Sequence, residues 1–242
     1  MSRLFLCIAK GIFPVNVNGE DPDRVQLCIV NQIVNQSEIL NPTDMKIGII
    51  GAGAIGKAFA QQVAQAGYQV MISNSRGPET LAELAHQLGD NVSSTSVEQA
   101  ATAEVVFLAV PWQKLRDVAL SIPSLQGRIV IDPTNPILPG FKLANLGVKT
   151  SSEVVAELFP GARVVKAFNT LPPHLVAADP NQAAGHRVLF YSGNDQTAKD
   201  IVAGIVNRLG FAGIDLGRLD EGGKLQQFPN GVLAVHNLIK LS

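Results

Sequence analysis

Six residues constrain this chain more than any others: Gly51-Ala52-Gly53-Ala54-Ile55-Gly56, a G-x-G-x-x-G that follows the apolar run Lys46-Ile-Gly-Ile-Ile50 without a gap. The run reads as a buried strand. The residues after it carry Ile55, Phe59 and Val63 at i, i+4 and i+8, the spacing of one helix face, and the face ends at Gly67. A strand, a glycine turn and a helix in immediate succession form the opening of a dinucleotide-binding unit. Gly51 permits the tight turn, Gly53 lets a pyrophosphate approach the backbone, and Gly56 lets helix and strand pack closely. The helix N-terminus then offers free N–H groups and a favourable dipole to the phosphates.

The same alternation continues to the end of the chain. Strands are predicted at 68–73, 91–95, 104–110, 128–132, 163–168, 187–192 and 211–215, with helices at 112–122, 152–159 and 197–209. A further helix starts at Pro78, presents Leu81, Leu84 and Leu88, and stops at Gly89; Ser96 with Gln99 makes a capping box. Run 104–110 is almost wholly apolar, as in a parallel strand covered on both faces. The fold class is therefore α/β, a doubly wound parallel sheet of the Rossmann NAD(P)-binding kind, spanning 45–242 with a short C-terminal segment.

Residues 1–44 differ. They are rich in Asn and Gln, contain Pro14, Pro22 and Pro42, and hold only the short apolar runs 25–30 and 33–34. This N-terminal extension reads either as a docking arm or added sheet element, or as a loosely ordered leader with Met45 as the true start. Its first residues briefly mimic a signal peptide, but Lys10 interrupts the apolar run and no small-residue cleavage site follows.

Composition removes several function classes. A net charge of −1 gives no basic field for nucleic acid or an anionic membrane, so neither is an expected partner. The longest apolar stretch, 105–112, is too short to span a bilayer. Both cysteines, Cys7 and Cys28, precede Met45, which fits a reducing, cytoplasmic home. The expected partners are a small-molecule redox acceptor and a second copy of the chain, a homodimer packed through the apolar tail 232–241.

The end of the second strand selects the dinucleotide. NAD binders place Asp or Glu there to hold the ribose 2′-OH. Here the sequence is Ser73-Asn74-Ser75-Arg76-Gly77, so nothing repels a 2′-phosphate, and Ser75 and Arg76 supply donors for it. The cofactor expected is NADP(H). Val110-Pro111-Trp112 and Pro133-Thr-Asn-Pro136 follow the fourth and fifth strands, at the carboxyl ends where doubly wound sheets bind ligands. Trp112 reads equally as a ring-stacking residue or a core cap. His86, His174, His186 and His236 show no metal spacing, His174 reads as a surface loop residue, and Ser192 with Asp195 are turn formers rather than a nucleophile and its base.

Taken in order, Met45 to Gly56, Asn74-Ser-Arg-Gly, Ala109-Val-Pro-Trp and Val164-Val-Lys-Ala-Phe-Asn-Thr-Leu-Pro172 resemble the NADPH-dependent reductases of the deazaflavin coenzyme F-420. They also resemble the related cytosolic domain of six-transmembrane ferric reductases. The resemblance runs from Met45 to about Leu219. It implies hydride passing directly between nicotinamide and a stacked second ring, a flavin or deazaflavin, with no catalytic side chain. It also implies that Ala52 to Ile55 contact the pyrophosphate, Ser75 and Arg76 the 2′-phosphate, and Val110, Pro111, Asn135 and Ala167 the nicotinamide side, with Ala109 also among the cofactor-binding residues. Asn169 stands where the deazaflavin reductases carry His, and Ala-Phe-Asn-Thr is closer to the ferric-reductase domain. Two rivals remain at this stage: an NADP(H)-sensing module without turnover, and an imine or hydroxyacid reductase. The latter usually adds a substantial helical domain after the Rossmann unit, where this sequence offers one short segment, 225–241, and that argues against it.

Overall fold

The computed structural model describes residues 4–8, 11–15, 45–182 and 184–241. The chain divides into two units, Met1–Asn41 and Pro42–Ser242. In the first, β1 (Leu4–Ile8) pairs antiparallel with β2 (Gly11–Val15), Leu4 opposite Val15. The apolar runs at 25–30 and 33–34, and Cys28, lie outside the described residues.

The second unit opens with β3 (Lys46–Ile50), α1 (Ala54–Gln65) and β4 (Gln69–Ser73). A 3-10 turn at Pro78–Leu81 leads into α2 (Ala82–Leu88), then β5 (Val92–Ser94), α3 (Val97–Ala100) and β6 (Val105–Leu108). A second 3-10 turn, Trp112–Lys114, precedes α4 (Leu115–Ser121) and β7 (Ile129–Asp132). A small hairpin follows, β8 (Ile137–Leu138) with β9 (Lys142–Leu143), then α5 (Ser151–Leu158) and β10 (Arg163–Ala167). The remainder is α6 (Pro173–Ala177), β11 (Asn181–Gln182), β12 (Gly185–Gly193), α7 (Gln196–Arg208), β13 (Ala212–Asp215), α8 (Leu219–Gln226) and β14 (Ile239–Leu241).

The sheet runs β5-β4-β3-β6-β7-β10-β12, all parallel as far as β10. Connections leave β3 in one direction to β4 and β5, then in the other to β6, β7 and β10. The order reverses between β3 and β6, and a crevice opens there at the strands' carboxyl ends. Strand parity divides the core into two. Ile47, Ile49, Phe107, Ile131 and Val165 face α1 and α7, whereas Ile50, Val106, Leu108, Val130 and Val164 face Leu115 of α4 and Val155 of α5. Burying each such side chain contributes about 1.5–3 kcal/mol.

The doubly wound α/β sheet is mainly parallel, as expected, with one departure. β12 runs antiparallel to β10, Val165 opposite Gly193. Among the described residues between these strands, the elements are five-residue α6 and two-residue β11. No described helix there crosses over the sheet, so the strand comes straight back. β12 then pairs with β13 in parallel and with β14 antiparallel. The C-terminal tail is thus partly bound within its own chain. Ile239–Leu241 pairs with β12 and Ala234 is buried, while Val232, Val235 and Leu238 are exposed. No described helix is long and apolar enough to cross a membrane.

Candidate functional site

The glycine turn works through the backbone. Gly51 has φ +106°, and a Cβ there would lie 2.1 Å from the Ala109 carbonyl oxygen. A Cβ on Gly56 would lie 2.0 Å from the Gly51 carbonyl, so β3, α1 and the end of β6 meet at distances only hydrogen allows. Gly53 has no neighbour within 4 Å of such an atom and faces open space. It is the N-cap of twelve-residue α1. No side chain caps that helix and no acidic residue sits in its first turn. Its N–H groups and dipole are therefore available to an anion.

Above this turn lies a cavity of about 850 Å³, of a size that suits a large ligand. Gly51, Ala52, Gly53, Asn74, Ser75, Arg76, Ala109, Val110 and Pro111 line it, nine of the residues singled out in the sequence. Ala54, Ile55 and Gly56 do not. They form the first turn of α1, where Ile55 packs against the core and only backbone N–H groups point the right way.

Ser75 and Arg76 are exposed, and among the described residues Arg76 takes part in no ion pair. Asn74 shapes the loop that presents them. Its Oδ1 accepts from the Arg76 backbone N–H at 2.8 Å, and its Nδ2 donates to Thr80 Oγ1 at 2.9 Å. Where an NAD binder offers a carboxylate to the ribose, this chain uses the equivalent side chain to fold its own turn. The turn thus leaves the Ser75 and Arg76 side chains exposed at the cavity rim with no carboxylate at position 74.

The cavity has a further wall that the sequence reading missed, made by Ser96, Val97 and Glu98 and by Lys114, Asp117, Val118 and Ser121. The last four fall at i, i+3, i+4 and i+7, Lys114 at the N-cap of α4 and the other three within it, a helical spacing legible once this helix is known to flank the crevice. The Ser96–Gln99 capping box is present as expected. The Ser96 hydroxyl, followed by the helix backbone, holds the Glu98 carboxyl below the usual carboxylate range.

Asn135 and Ala167 are not in the cavity wall. Ala167 is fully buried on the α1 side of the sheet, so its methyl group is committed to the core. Asn135, half-buried, joins a polar network at the carboxyl ends of β7 and β10. Its Nδ2 donates to the Asn169 carbonyl at 3.1 Å, and its Oδ1 accepts from Asn169 Nδ2 at 3.1 Å and Phe228 N at 3.2 Å.

At the centre of that network, Lys166 Nζ lies 3.3 Å from Asp132 Oδ2, both side chains at 0% exposure. Lys166 also donates to the Thr134 carbonyl at 2.8 Å. Asp132 accepts from the Thr134 N–H at 2.8 Å, from the Thr134 hydroxyl at 2.6 Å, and from the Ser152 hydroxyl. Burial drives the Lys166 ammonium below the usual lysine range, and the Asp132 charge opposes that shift. Gln226 closes the far side. Its Nε2 reaches the Phe190 carbonyl at 3.1 Å and its Oε1 accepts from Ser192 at 2.7 Å. Phe168, between Lys166 and Asn169, is held at φ +64° with its ring edge-on to Phe59 at 4.9 Å. Lys166 inside an apolar strand was the one sequence signal of this network.

The other candidates have structural roles. Trp112 is half-buried against the α4 side of the core and lines a separate groove of about 660 Å³ with Leu138, Leu146 and Leu158. His174 is exposed, on α6 rather than in a loop. Asp195 caps α7 by accepting from Ala198 N at 2.7 Å.

The chain is similar to several solved and curated proteins, reductases and dehydrogenases among them. A hypothetical protein SMa0349 from Sinorhizobium meliloti shares 43% identity and a TM-score of 0.76, over 86% of this chain and 99% of that one. A putative F420-dependent NADP-reductase from Arthrobacter sp. shares 28% identity and a TM-score of 0.59, over 72% of this chain and 86% of that one. Metalloreductase STEAP3 of Rattus norvegicus is 28% identical over 184 residues, 76% of this chain but 36% of that protein. The chain thus spans little more than a third of that curated relative. Residues 46–136, which contain the glycine turn, Asn74 to Arg76 and the Ala109-Val-Pro segment, match the model of the family described as NADP oxidoreductase, coenzyme F420-dependent. Over that dinucleotide-binding segment, the chain is similar to this family of NADP oxidoreductases.

Proposed function

We propose that this protein binds NADPH across β4, β3 and β6 and passes its hydride directly to a planar flavin-like or deazaflavin acceptor. The observation that carries this reading is the cavity above Gly51-Ala-Gly53, bounded on one side by Ser75 and Arg76 and on the other by Val110 and Pro111. The N–H groups at the start of α1 suit a pyrophosphate, and Ser75 with Arg76 suit a 2′-phosphate.

Bound there, NADPH supplies the hydride. The chain's own residues fix position and exclude water. Pro111 and Val110 give an apolar wall beyond the end of β6, and the Asn74 turn holds Arg76 outward for the phosphate. Direct hydride transfer between two stacked rings requires no side chain to move a proton, only orientation. The name of the Arthrobacter relative, an F420-dependent NADP-reductase, pairs NADP with a deazaflavin and supports this reading, and that of the rat relative, a metalloreductase, supports a reductase.

NADPH consumption by the purified full chain, measured against deazaflavin, FMN, FAD, quinones and ferric chelates, tests the proposal. Turnover with a flavin-type ring supports it. Tight NADPH binding with no turnover on any acceptor replaces it with a coenzyme-sensing module.

A further inference from the structure

The buried Asp132–Lys166 pair lies outside the coenzyme cavity and the mechanism above does not use it. Three observations give it a part. It sits at directly paired positions of β7 and β10, on the strand face opposed to α5, where neighbouring positions are Val130 and Val164. An ion pair there is weak evidence for stability, because apolar residues of similar size would do as well or better. Its hydrogen bonds converge on Thr134, at the head of the Thr134–Asn135 peptide: Lys166 takes the Thr134 carbonyl, while Asp132 takes the Thr134 N–H and hydroxyl. The next residue, Asn135, is braced in turn against Asn169 and Phe228.

The place of that peptide follows from the fold. A dinucleotide lies across the carboxyl ends of the strands on both sides of the reversal point. With Ser75 and Arg76 beyond β4 holding one end, the other must run past β6 towards β7 and β10. Thr134 and Asn135 follow β7, and Phe168 and Asn169 follow β10. The pair therefore anchors the floor under the reacting half of the bound coenzyme.

We propose that Asp132 and Lys166 are positioning residues for the nicotinamide and its acceptor, acting through the Thr134–Asn135 peptide and Asn169. This rests on the reading under Proposed function, since without a nicotinamide there is nothing to position. Neither residue touches the ligand, and neither gains or loses a proton in the reaction.

The test uses the full chain with Asp132→Leu and Lys166→Met together, which leaves no uncompensated buried charge. Three properties are measured beside thermal stability. They are affinity for 2′-phospho-ADP-ribose (the coenzyme without its nicotinamide), the fluorescence of bound NADPH, and kcat with the wild-type acceptor. The expected result is unchanged affinity for 2′-phospho-ADP-ribose, loss of the nicotinamide fluorescence enhancement, and a fall in kcat of about 100-fold, the scale of a misplacement near 1 Å. Thr134→Val, which keeps shape and removes one hydrogen bond to Asp132, should fold even if the double variant does not. It should move fluorescence and kcat the same way by less.

Wild-type fluorescence and kcat in both variants would overturn the proposal and leave the pair a fold element. A wild-type protein that binds NADPH but turns over no acceptor would end the reductase reading. The fluorescence arm alone would then decide the positioning role. Binding of neither nucleotide by the wild type would overturn both.

Discussion

At the carboxyl ends of β3 and β4 the backbone itself makes the site, through glycines whose hydrogens sit where a Cβ would be about 2 Å from a carbonyl oxygen. At the carboxyl ends of β7 and β10 a network of buried and half-buried side chains stands in place of such a turn. Two charged residues, two asparagines, two serines, a threonine and a glutamine span β7, α5, β10, β12 and α8. The first region is built from near neighbours: Asn74 bonds to residues two and six positions away. The second is built across the chain, with separations of 34 for Lys166–Asp132, 60 for Gln226–Lys166 and 93 for Phe228–Asn135. A phosphate needs N–H groups and a dipole, which a local turn provides. Two rings held face to face need a floor whose parts agree with one another, which only the assembled sheet provides.

If the second region depends on mutual satisfaction, breaking it at one point should have the largest effect of any single change. Lys166→Met alone leaves Asp132 buried without its counter-charge, at a cost of about 3–5 kcal/mol. Chemical denaturation should show that loss, and the melting temperature should fall on the order of 10 °C. Adding Asp132→Leu should recover much of it, because the stranded charge is then gone. A single variant as stable as the wild type would mean that water or a rearranged hydroxyl already compensates Asp132, and the contrast between the regions would weaken.

The first region should break for a different reason. Gly51→Ala forces a side chain into a left-handed conformation and against the Ala109 carbonyl, costing about 2–4 kcal/mol from backbone strain and overpacking together. Coenzyme binding should disappear with it, since the turn cannot rise without lifting Ala52 and Gly53. Full NADPH affinity in a destabilised Gly51→Ala protein would show that the helix N-terminus, not the turn, carries the phosphate contact.

This contrast also explains what the sequence did and did not disclose. The strand–turn–helix opening, the capping box at Ser96 and the missing carboxylate at Asn74 are local patterns, and each is where the residues implied. The reversal of β12 was hidden because 187–192 is apolar like its neighbours, and direction depends on what connects strands, not on their composition. Ala167 carries no mark that separates a core methyl from a pocket methyl. Lys166 was visible as a charge in an apolar strand, but its partners lie 32 to 60 residues away. The hairpin at Ile137–Leu138 and Lys142–Leu143 and the helix Leu219–Gln226 are short, and two glycines inside that helix conceal its period.

Arg76→Ala separates coenzyme choice from coenzyme binding. The exposed guanidinium should contribute about 1.5–3 kcal/mol to a charged phosphate, so NADPH affinity should fall about 10- to 100-fold while NADH affinity stays the same. Titration of both nucleotides into the variant gives the answer directly. Equal losses would show that Arg76 supports the loop and does not read the 2′-phosphate, leaving Ser75 and the Asn74 turn to do so.

The smallest effect should come from Ser96, which belongs to the cavity wall yet is held by a wholly local motif. Ser96→Ala removes the side-chain half of the capping box on α3, at about 1 kcal/mol. For a chain of this size that lowers the melting temperature by about 2–4 °C. The Glu98 carboxyl, held down chiefly by the Ser96 hydroxyl, should titrate closer to the usual carboxylate range, a shift readable by NMR. NADPH affinity should hold within about twofold, because a cap stabilises its own helix and touches few distant groups. If affinity drops tenfold instead, α3 is part of the phosphate-binding backbone, and the region built by glycines extends one strand further than Gly51 to Gly56.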